Sequence, residues 1–165
     1  MADANRQELS LLPKLVIASA VLLLAAGVLW YGITVEVVLR IFRDLFNRPS
    51  EPMSFRFILQ PVMALIAALR DGIKDARTGR SPYFWTIMSE PGKRAGRLRE
   101  GLNATARILL LGLVMDVIYQ IMVLKRFYPA EAVIIAVMLA FVPYFFMRGP
   151  IARIARRWYG RGRTA

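Results

Sequence analysis

The sequence predicts an all-α integral membrane protein with about three transmembrane helices and one or two amphipathic interfacial helices. Hydrophobic residues make up 57% of the 165 residues, which exceeds the ~45–50% that is usual for soluble domains. They are concentrated in runs long enough to cross a bilayer, and basic residues cluster beside those runs. The length fits one membrane domain over residues 1–165.

The charge and the missing residue types narrow the function classes. The formal net charge is +12, and arginines beside apolar runs are explained by the positive-inside rule and by anionic lipid. We therefore expect contact with the bilayer and with anionic lipid headgroups, and no nucleic acid partner. The chain has no cysteine and no histidine, which excludes disulfides, thiolate or histidine metal ligands, and cysteine or histidine catalysis. We predict no cofactor, no metal and no enzymatic activity.

The first predicted span covers about residues 12–38. Its central run, residues 15–35, carries no charge and would be about 30 Å long as a helix, which matches one hydrocarbon thickness. Trp30 and Tyr31 lie toward its end, as aromatic residues do at membrane interfaces. A signal peptide is the alternative, but its apolar region normally has about 7–15 residues. An uncleaved span is therefore the better interpretation.

An amphipathic extension is predicted after this span. Its apolar residues share one stripe of a helix, while Arg40, Arg43 and Asp44 lie elsewhere around the axis. Pro49 and Pro52 then end the helix. The pattern is typical of a segment that lies against lipid headgroups.

Residues 57–75 predict an interfacial helix. The apolar run 57–69 is short for a crossing. A helix here places Gln60, Asp71 and Lys74 on one face and large apolar residues on the other, which is typical of a helix in the interface. A short tilted crossing remains the alternative.

A basic linker is predicted over residues 70–107, divided by glycine and proline turns. It contains an aromatic cluster suited to the headgroup level, formed by Tyr83, Phe84 and Trp85.

Two further spans are predicted at about residues 104–124 and 131–147. Ala132, Ala136 and Ala140 recur every four residues in the last span. Such a stripe lets helices approach closely, and we expect it to pack against a partner chain, although alanine is also simply common in spans. The basic tail, 148–165, follows. Four of its residues are expected to contact lipid headgroups: Arg153, Arg156, Arg157 and Trp158.

The orientation follows from the basic residues that flank the spans. Many arginines lie in the linker and in the tail, whereas only Lys125 and Arg126 lie between the last two spans. The positive-inside rule therefore places the linker 70–107 and the C-terminus in the cytoplasm. If residues 57–69 do not cross, the N-terminus lies outside. A crossing would put four arginines outside, which the rule disfavours: Arg40, Arg43, Arg48 and Arg56.

Asp116 is the strongest candidate for a functional residue. It lies near the middle of the second full span, where a charged carboxylate costs about 2.5–3.5 kcal/mol. Tyr119 and Gln120 follow on the same helix face, and no cation lies within the middle of a span to neutralise Asp116. Two roles stay open: a proton or ion site formed by these three residues, or a polar contact that holds helices together.

Asp71 and Asp75 stand in a short charged motif between Arg70 and Arg80. It resembles the start of the CDP-alcohol phosphatidyltransferase motif, but it is one residue longer and lacks the downstream aspartates that bind metals. It also resembles a cytoplasmic loop signature of major-facilitator transporters, whose twelve-span context is absent. The plainer interpretation is a solvated turn in which both aspartates pair with basic residues one turn away.

The stretches at residues 55–85 and 98–120, which cover about half of the chain, resemble small inner-membrane proteins of bacteria with no known activity. The resemblance implies a multi-pass protein of a bacterial inner membrane and carries no activity and no site residues.

The sequence thus predicts a non-enzymatic accessory or assembly subunit that packs against membrane partners, as a hetero- or homo-oligomer. The alternative is a small oligomeric transporter or channel in which Asp116 takes up a proton or an ion. An enzyme that uses Asp71 and Asp75 is a third hypothesis.

Overall fold

The fold consists of helices. The computed structural model describes residues 10–47 and 54–161, and within these ranges it contains seven α-helices and no strand. In chain order they are α1 (Leu11–Tyr31), α2 (Val35–Asn47), α3 (Arg56–Arg77), α4 (Tyr83–Ser89), α5 (Pro91–Tyr119), α6 (Pro129–Ala136) and α7 (Val142–Arg161). A π-helical segment, Gln120–Leu124, extends α5, and a second, Val137–Phe141, joins α6 to α7. The predicted all-α class is confirmed.

Three of the described helices are long and apolar enough to cross a membrane. They are Leu11–Tyr31, Pro91–Leu124 and Pro129–Trp158, which confirms an all-α protein embedded in a membrane. The first ends at Gly32, whose φ of 69° is left-handed, and such a residue ends a helix. The second begins at Pro91, within the predicted linker, because proline suits the first turn of a helix.

Helix α3 turns its polar and small residues inward and its large apolar residues outward. The buried residues lie four or three positions apart: Arg56, Gln60, Ala64, Ala68, Gly72 and Asp75. Large apolar side chains on the opposite side are exposed: Ile58, Leu59, Val62, Leu65, Ile66 and Leu69. This arrangement is the reverse of a helix in a soluble protein, and it is the arrangement expected of a helix that faces lipid.

Helix α3 lies lengthwise between α7 and α5. It is parallel to α7, since Asp71 contacts Tyr144 and Asp75 contacts Arg148 one turn later. It is antiparallel to α5, since Arg56 contacts Asp116 and Asp75 contacts Arg97. From Arg56 to Asp75 the helix rises about 28 Å, close to one hydrocarbon thickness.

The two ends of the bundle are defined by contacts of α1. The Ser10 backbone N–H donates to Asn103 Oδ1 at 3.3 Å, and the Tyr31 hydroxyl donates to the Phe127 carbonyl at 2.9 Å. We call the end with Ser10 and Asn103 the linker end, and the end with Tyr31 and Phe127 the hairpin end. The placement of the N-terminus outside, opposite the linker, stays a prediction.

The alanine stripe of the last span packs inside the chain. Ala132, Ala136 and Ala140 are fully buried, and a Cβ placed on Gly112 of α5 would lie 3.1 Å from Ala136 Cβ. The prediction that this stripe contacts a partner chain is wrong, because the stripe is already used between α5 and the last span.

Gly72 allows α3 and α7 to approach closely. A Cβ on Gly72 would lie 2.7 Å from Ile151 Cγ2 and 3.1 Å from the Arg148 carbonyl oxygen. We therefore expect Gly72→Ala to lower the free energy of unfolding by about 1–3 kcal/mol, the usual cost of overpacking. The matched control is Gly92→Ala in α5, where the added Cβ meets nothing within 4 Å. Equal unfolding midpoints for the two variants in detergent would contradict the close approach.

Candidate functional site

Asp116 forms a buried ion pair at the hairpin end. Its Oδ1 lies 2.7 Å from Arg56 Nη1, and both side chains are almost fully buried. Gln120 Nε2 donates to Asp116 Oδ2 at 2.6 Å. The expectation that no cation neutralises Asp116 is therefore wrong, because Arg56 reaches it from the first turn of α3. The pair joins α3 to α5 inside the bundle.

Tyr119 and Gln120 complete this site, which we call the Asp116 site (Arg56, Asp116, Tyr119 and Gln120). The Arg56 guanidinium carbon lies 4.8 Å from the centre of the Tyr119 ring, a cation–π distance. Gln120 accepts a hydrogen bond from the Tyr128 backbone N–H at 2.6 Å and donates to the Tyr128 carbonyl at 3.2 Å. The three residues predicted from the sequence thus lie together, and Gln120 links them to the connection before α6.

A second buried carboxylate lies near this end. Glu131 of α6 is buried, and its Oε2 lies 3.7 Å from Arg40 Nε of α2. The Arg40 guanidinium also lies 3.7 Å from the centre of the Tyr128 ring. These contacts hold α2 against α6.

A larger polar cluster lies at the linker end, and we call it the Asp75 cluster (Asp75, Arg97, Glu100, Tyr144 and Arg148). Arg148 binds both oxygens of Asp75, through Nε at 2.8 Å and Nη2 at 3.1 Å. Its Nη2 also donates to Glu100 Oε2 at 3.0 Å, and its Nη1 donates to the Tyr144 hydroxyl at 2.7 Å. Such bidentate, charge-assisted contacts are among the strong hydrogen bonds of proteins.

Arg97 of α5 also contacts the carboxylates of the Asp75 cluster. Its Nη1 lies 3.2 Å from Asp75 Oδ1 and 3.0 Å from Glu100 Oε2, and its Nη2 donates to the Ser81 carbonyl at 2.8 Å. Asp75 is fully buried, so the prediction that it belongs to a solvated turn is wrong. Its closest partners come from α5 and α7 and were not predicted from the sequence, whereas Arg80, from the same charged motif, lies 3.9 Å away.

Asp71 and Tyr83 border the Asp75 cluster. The Tyr144 hydroxyl donates to Asp71 Oδ2 at 2.5 Å, and the Tyr83 hydroxyl donates to the Arg97 carbonyl at 2.8 Å. Burial raises the pKa of the Tyr83 hydroxyl well above its usual value, so this donor keeps its proton. Of the predicted aromatic cluster, Tyr83 lies in the core, whereas Phe84 and Trp85 are exposed.

The predicted lipid-contact residues lie on the last turns of α7. Arg153, Arg157 and Trp158 are exposed. Arg156 is half-buried and donates through Nη2 to the Arg80 carbonyl. Contact of these four residues with lipid stays a prediction.

The polar sites are built from charges that neutralise each other. Each buried carboxylate described above has an arginine partner from a different helix. Within residues 10–47 and 54–161, no group of three carboxylate, histidine or cysteine side chains is placed to hold a metal ion. These ion pairs fix the positions of the helices relative to one another.

The chain was compared with known proteins in three ways. A scan against family models and searches of curated proteins and of solved structures found no match. The class that the fold defines is an all-α membrane-embedded protein with three helices of membrane-spanning length and composition among the described residues.

Proposed function

We propose that the chain is a non-enzymatic accessory or assembly subunit of a bacterial inner membrane, which packs against other membrane chains and against anionic lipid. The observation that carries this proposal is the surface of α1. In the most apolar stretch of 18 residues in α1, only 17% of the residues are buried inside the chain. The face turned away from the bundle exposes Leu15, Ala18, Leu22, Ala25 and Leu29, and small residues among large ones favour close helix contacts.

The closed interior supports a role without catalysis. Asp75 has both oxygens engaged by guanidinium groups, and Asp116 has both oxygens engaged by Arg56 and Gln120. A substrate would have to displace buried, charge-assisted contacts, which costs several kcal/mol. The same argument weakens the alternative of a small proton- or ion-linked transporter or channel, since an ion at Asp116 would compete with Arg56.

The proposed topology has four crossings, formed by α1, α3, α5 and the continuous α6–α7 helix. With α3 crossing, the start of α1, the linker and the end of α7 lie at the linker end, and α2 lies at the hairpin end. The linker end carries most of the basic residues, so it faces the cytoplasm by the positive-inside rule. Arg40 and Arg56 lie at the opposite end, where Glu131 and Asp116 offset their charges.

The proposed subunit role is tested by native mass spectrometry of the tagged protein, extracted gently from its host membrane. We expect recovery in a fixed ratio with another membrane chain. Ala25→Trp on the exposed face of α1 should reduce that recovery without lowering the unfolding temperature. Ile66→Trp, which places the same side chain on the exposed face of α3, is the matched control. Equal loss of the partner in both variants would contradict the proposal that the partner binds to the exposed face of α1.

The alternative is tested by Asp116→Asn. If the chain is recovered as a closed homo-oligomer and Asp116→Asn removes proton- or cation-dependent flux in proteoliposomes while the variant stays folded, the transporter replaces the accessory subunit. We expect unchanged flux and a lower free energy of unfolding, because Arg56 loses its charged partner.

A further inference from the structure

The strongest candidate for a ligand site is a cleft at the linker end. It has a volume of about 490 Å³ and lies between the end of α3, α4 and the first turns of α5. Its lining includes Arg80, Glu90, Lys93, Arg97 and Glu100. A cleft of this size accepts a small polar ligand, and its lining carries both signs of charge.

The charges that a ligand can reach belong to one exposed ion pair and to a second pair whose carboxylate, Glu100, is part of the Asp75 cluster. Lys93 Nζ lies 2.6 Å from Glu90 Oε2, with side-chain exposures of 69% and 35%. Arg80 Nη1 lies 2.9 Å from Glu100 Oε1, with exposures of 46% and 19%. Arg97 is held by Asp75 and the Ser81 carbonyl and is nearly buried. Exposed ion pairs contribute little to stability, so a ligand can exchange with them at low cost.

The cleft lies at the depth of lipid headgroups. Glu100 and Arg97 precede the apolar part of α5, which begins at about Ala104, by roughly 6 and 10 Å along the helix. The headgroup layer extends several ångströms beyond the hydrocarbon on each side. Phe84 and Trp85 are exposed on α4, the short helix that contributes Thr86 to the cleft, and aromatic side chains of this kind sit at the membrane interface.

We propose that this cleft binds a phosphoethanolamine group, supplied by the headgroup of a zwitterionic phospholipid. The phosphodiester would contact Arg80 and Lys93, and the primary ammonium, which has three donors, would contact Glu90 in place of Lys93. Glu100 would keep Arg97 and Arg148 as partners. A purely anionic headgroup would take Lys93 and leave Glu90 without a cation. A choline headgroup has no N–H to donate to Glu90. None of the four tail residues predicted to contact lipid lines this cleft, and one of them, Arg156, donates to the Arg80 carbonyl at its edge. The proposal does not depend on the accessory role.

The test uses the full chain, stripped of lipid and then exposed to an equimolar mixture of phosphatidylethanolamine, phosphatidylglycerol and phosphatidylcholine with identical acyl chains. In native mass spectra, the amount of bound phosphatidylethanolamine should exceed that of each other lipid about fivefold. One or two exposed charge contacts give a preference of about this size. Equal retention of the three lipids would overturn the proposal.

Variants of the cleft separate the site from general lipid binding. Glu90→Gln and Lys93→Gln should each reduce that preference toward unity. The matched controls are Glu36→Gln on exposed α2 and Arg99→Gln, an exposed residue of α5 outside the cleft, and both should keep the preference. The same loss in the controls would contradict the assignment to the cleft.

Soluble glycerophosphoethanolamine distinguishes the source of the group. Because the acyl chains of a lipid also contact the exposed apolar side chains of α4, the lipid should bind more tightly than the soluble ester. Equal affinities would show that the cleft takes a soluble phosphoethanolamine ester, which would overturn the lipid assignment.

Discussion

Arg56→Met is expected to lower the free energy of unfolding by about 3–5 kcal/mol, because it leaves the Asp116 carboxylate charged, buried and without its guanidinium. The loss should appear as a lower midpoint in denaturant titrations of the detergent-solubilised protein. The effect has nothing to do with the apolar surface of α3, since methionine fills a volume similar to that of the arginine stem.

The double variant Arg56→Met, Asp116→Leu should recover most of this loss. Replacing both members of a buried ion pair with apolar residues is often neutral or stabilising. Arg43→Met, on an exposed position of α2, is the matched control for loss of one arginine at the same end. If Arg56→Met costs no more than Arg43→Met, the buried pair does not hold α3 to α5.

Arg148→Met is expected to have a comparable effect at the linker end, again about 3–5 kcal/mol. The variant removes two contacts to Asp75, one to Glu100 and one to Tyr144. Arg97 keeps its contact with Asp75, and Arg80 Nη1 lies 3.9 Å from Asp75 Oδ1, so the buried carboxylate retains two of its three guanidinium partners. The measurement is the same denaturant titration.

Two further variants isolate the role of the guanidinium. Arg148→Lys keeps the charge but cannot bind both oxygens of Asp75 through a planar fork, so it should recover only part of the stability. Arg153→Met, an exposed position on the same helix, should change the unfolding midpoint little. Full recovery by lysine would show that charge alone matters in the Asp75 cluster.

The class and the long spans could be predicted from the sequence because they depend on local composition. Apolar runs of sufficient length indicate the helices Pro91–Leu124 and Pro129–Trp158 without any knowledge of their neighbours. The grouping of Asp116 with Tyr119 and Gln120 is also local, because these residues share one helix face. Their mutual distances then follow from helix geometry.

The role of α3 could not be read in the same way. Its periodicity shows that Gln60 and Asp71 lie on a face different from that of Ile58 and Leu69, but not which of the two faces is inward. An interfacial helix and a crossing helix with a polar inner face share this pattern. The spacing of Arg56, Gln60, Ala64, Ala68 and Gly72 was the available signal, since small residues suit a packed face and not a solvated one.

The partners of Asp75 needed tertiary information. Arg97 lies 22 positions away along the chain, and Arg148 lies 73 positions away. Nothing in the local pattern of α7 separates Arg148 from the exposed arginines that follow it. The parallel packing of α3 on α7, made possible by Gly72, is what brings Arg148 rather than Arg153 to the carboxylate.

Helix α3 crosses the membrane in the proposed topology, and cysteine labelling in intact cells tests this crossing most directly. The native chain has no cysteine, so a single introduced cysteine is the only thiol that a reagent can label. Three single variants are used: Glu36→Cys in α2, Arg126→Cys before α6 and Arg99→Cys in α5. An impermeant thiol reagent should label Glu36→Cys and Arg126→Cys from outside, and Arg99→Cys only after permeabilisation. Protection of Glu36→Cys together with Arg99→Cys would contradict the crossing and return α3 to the interface.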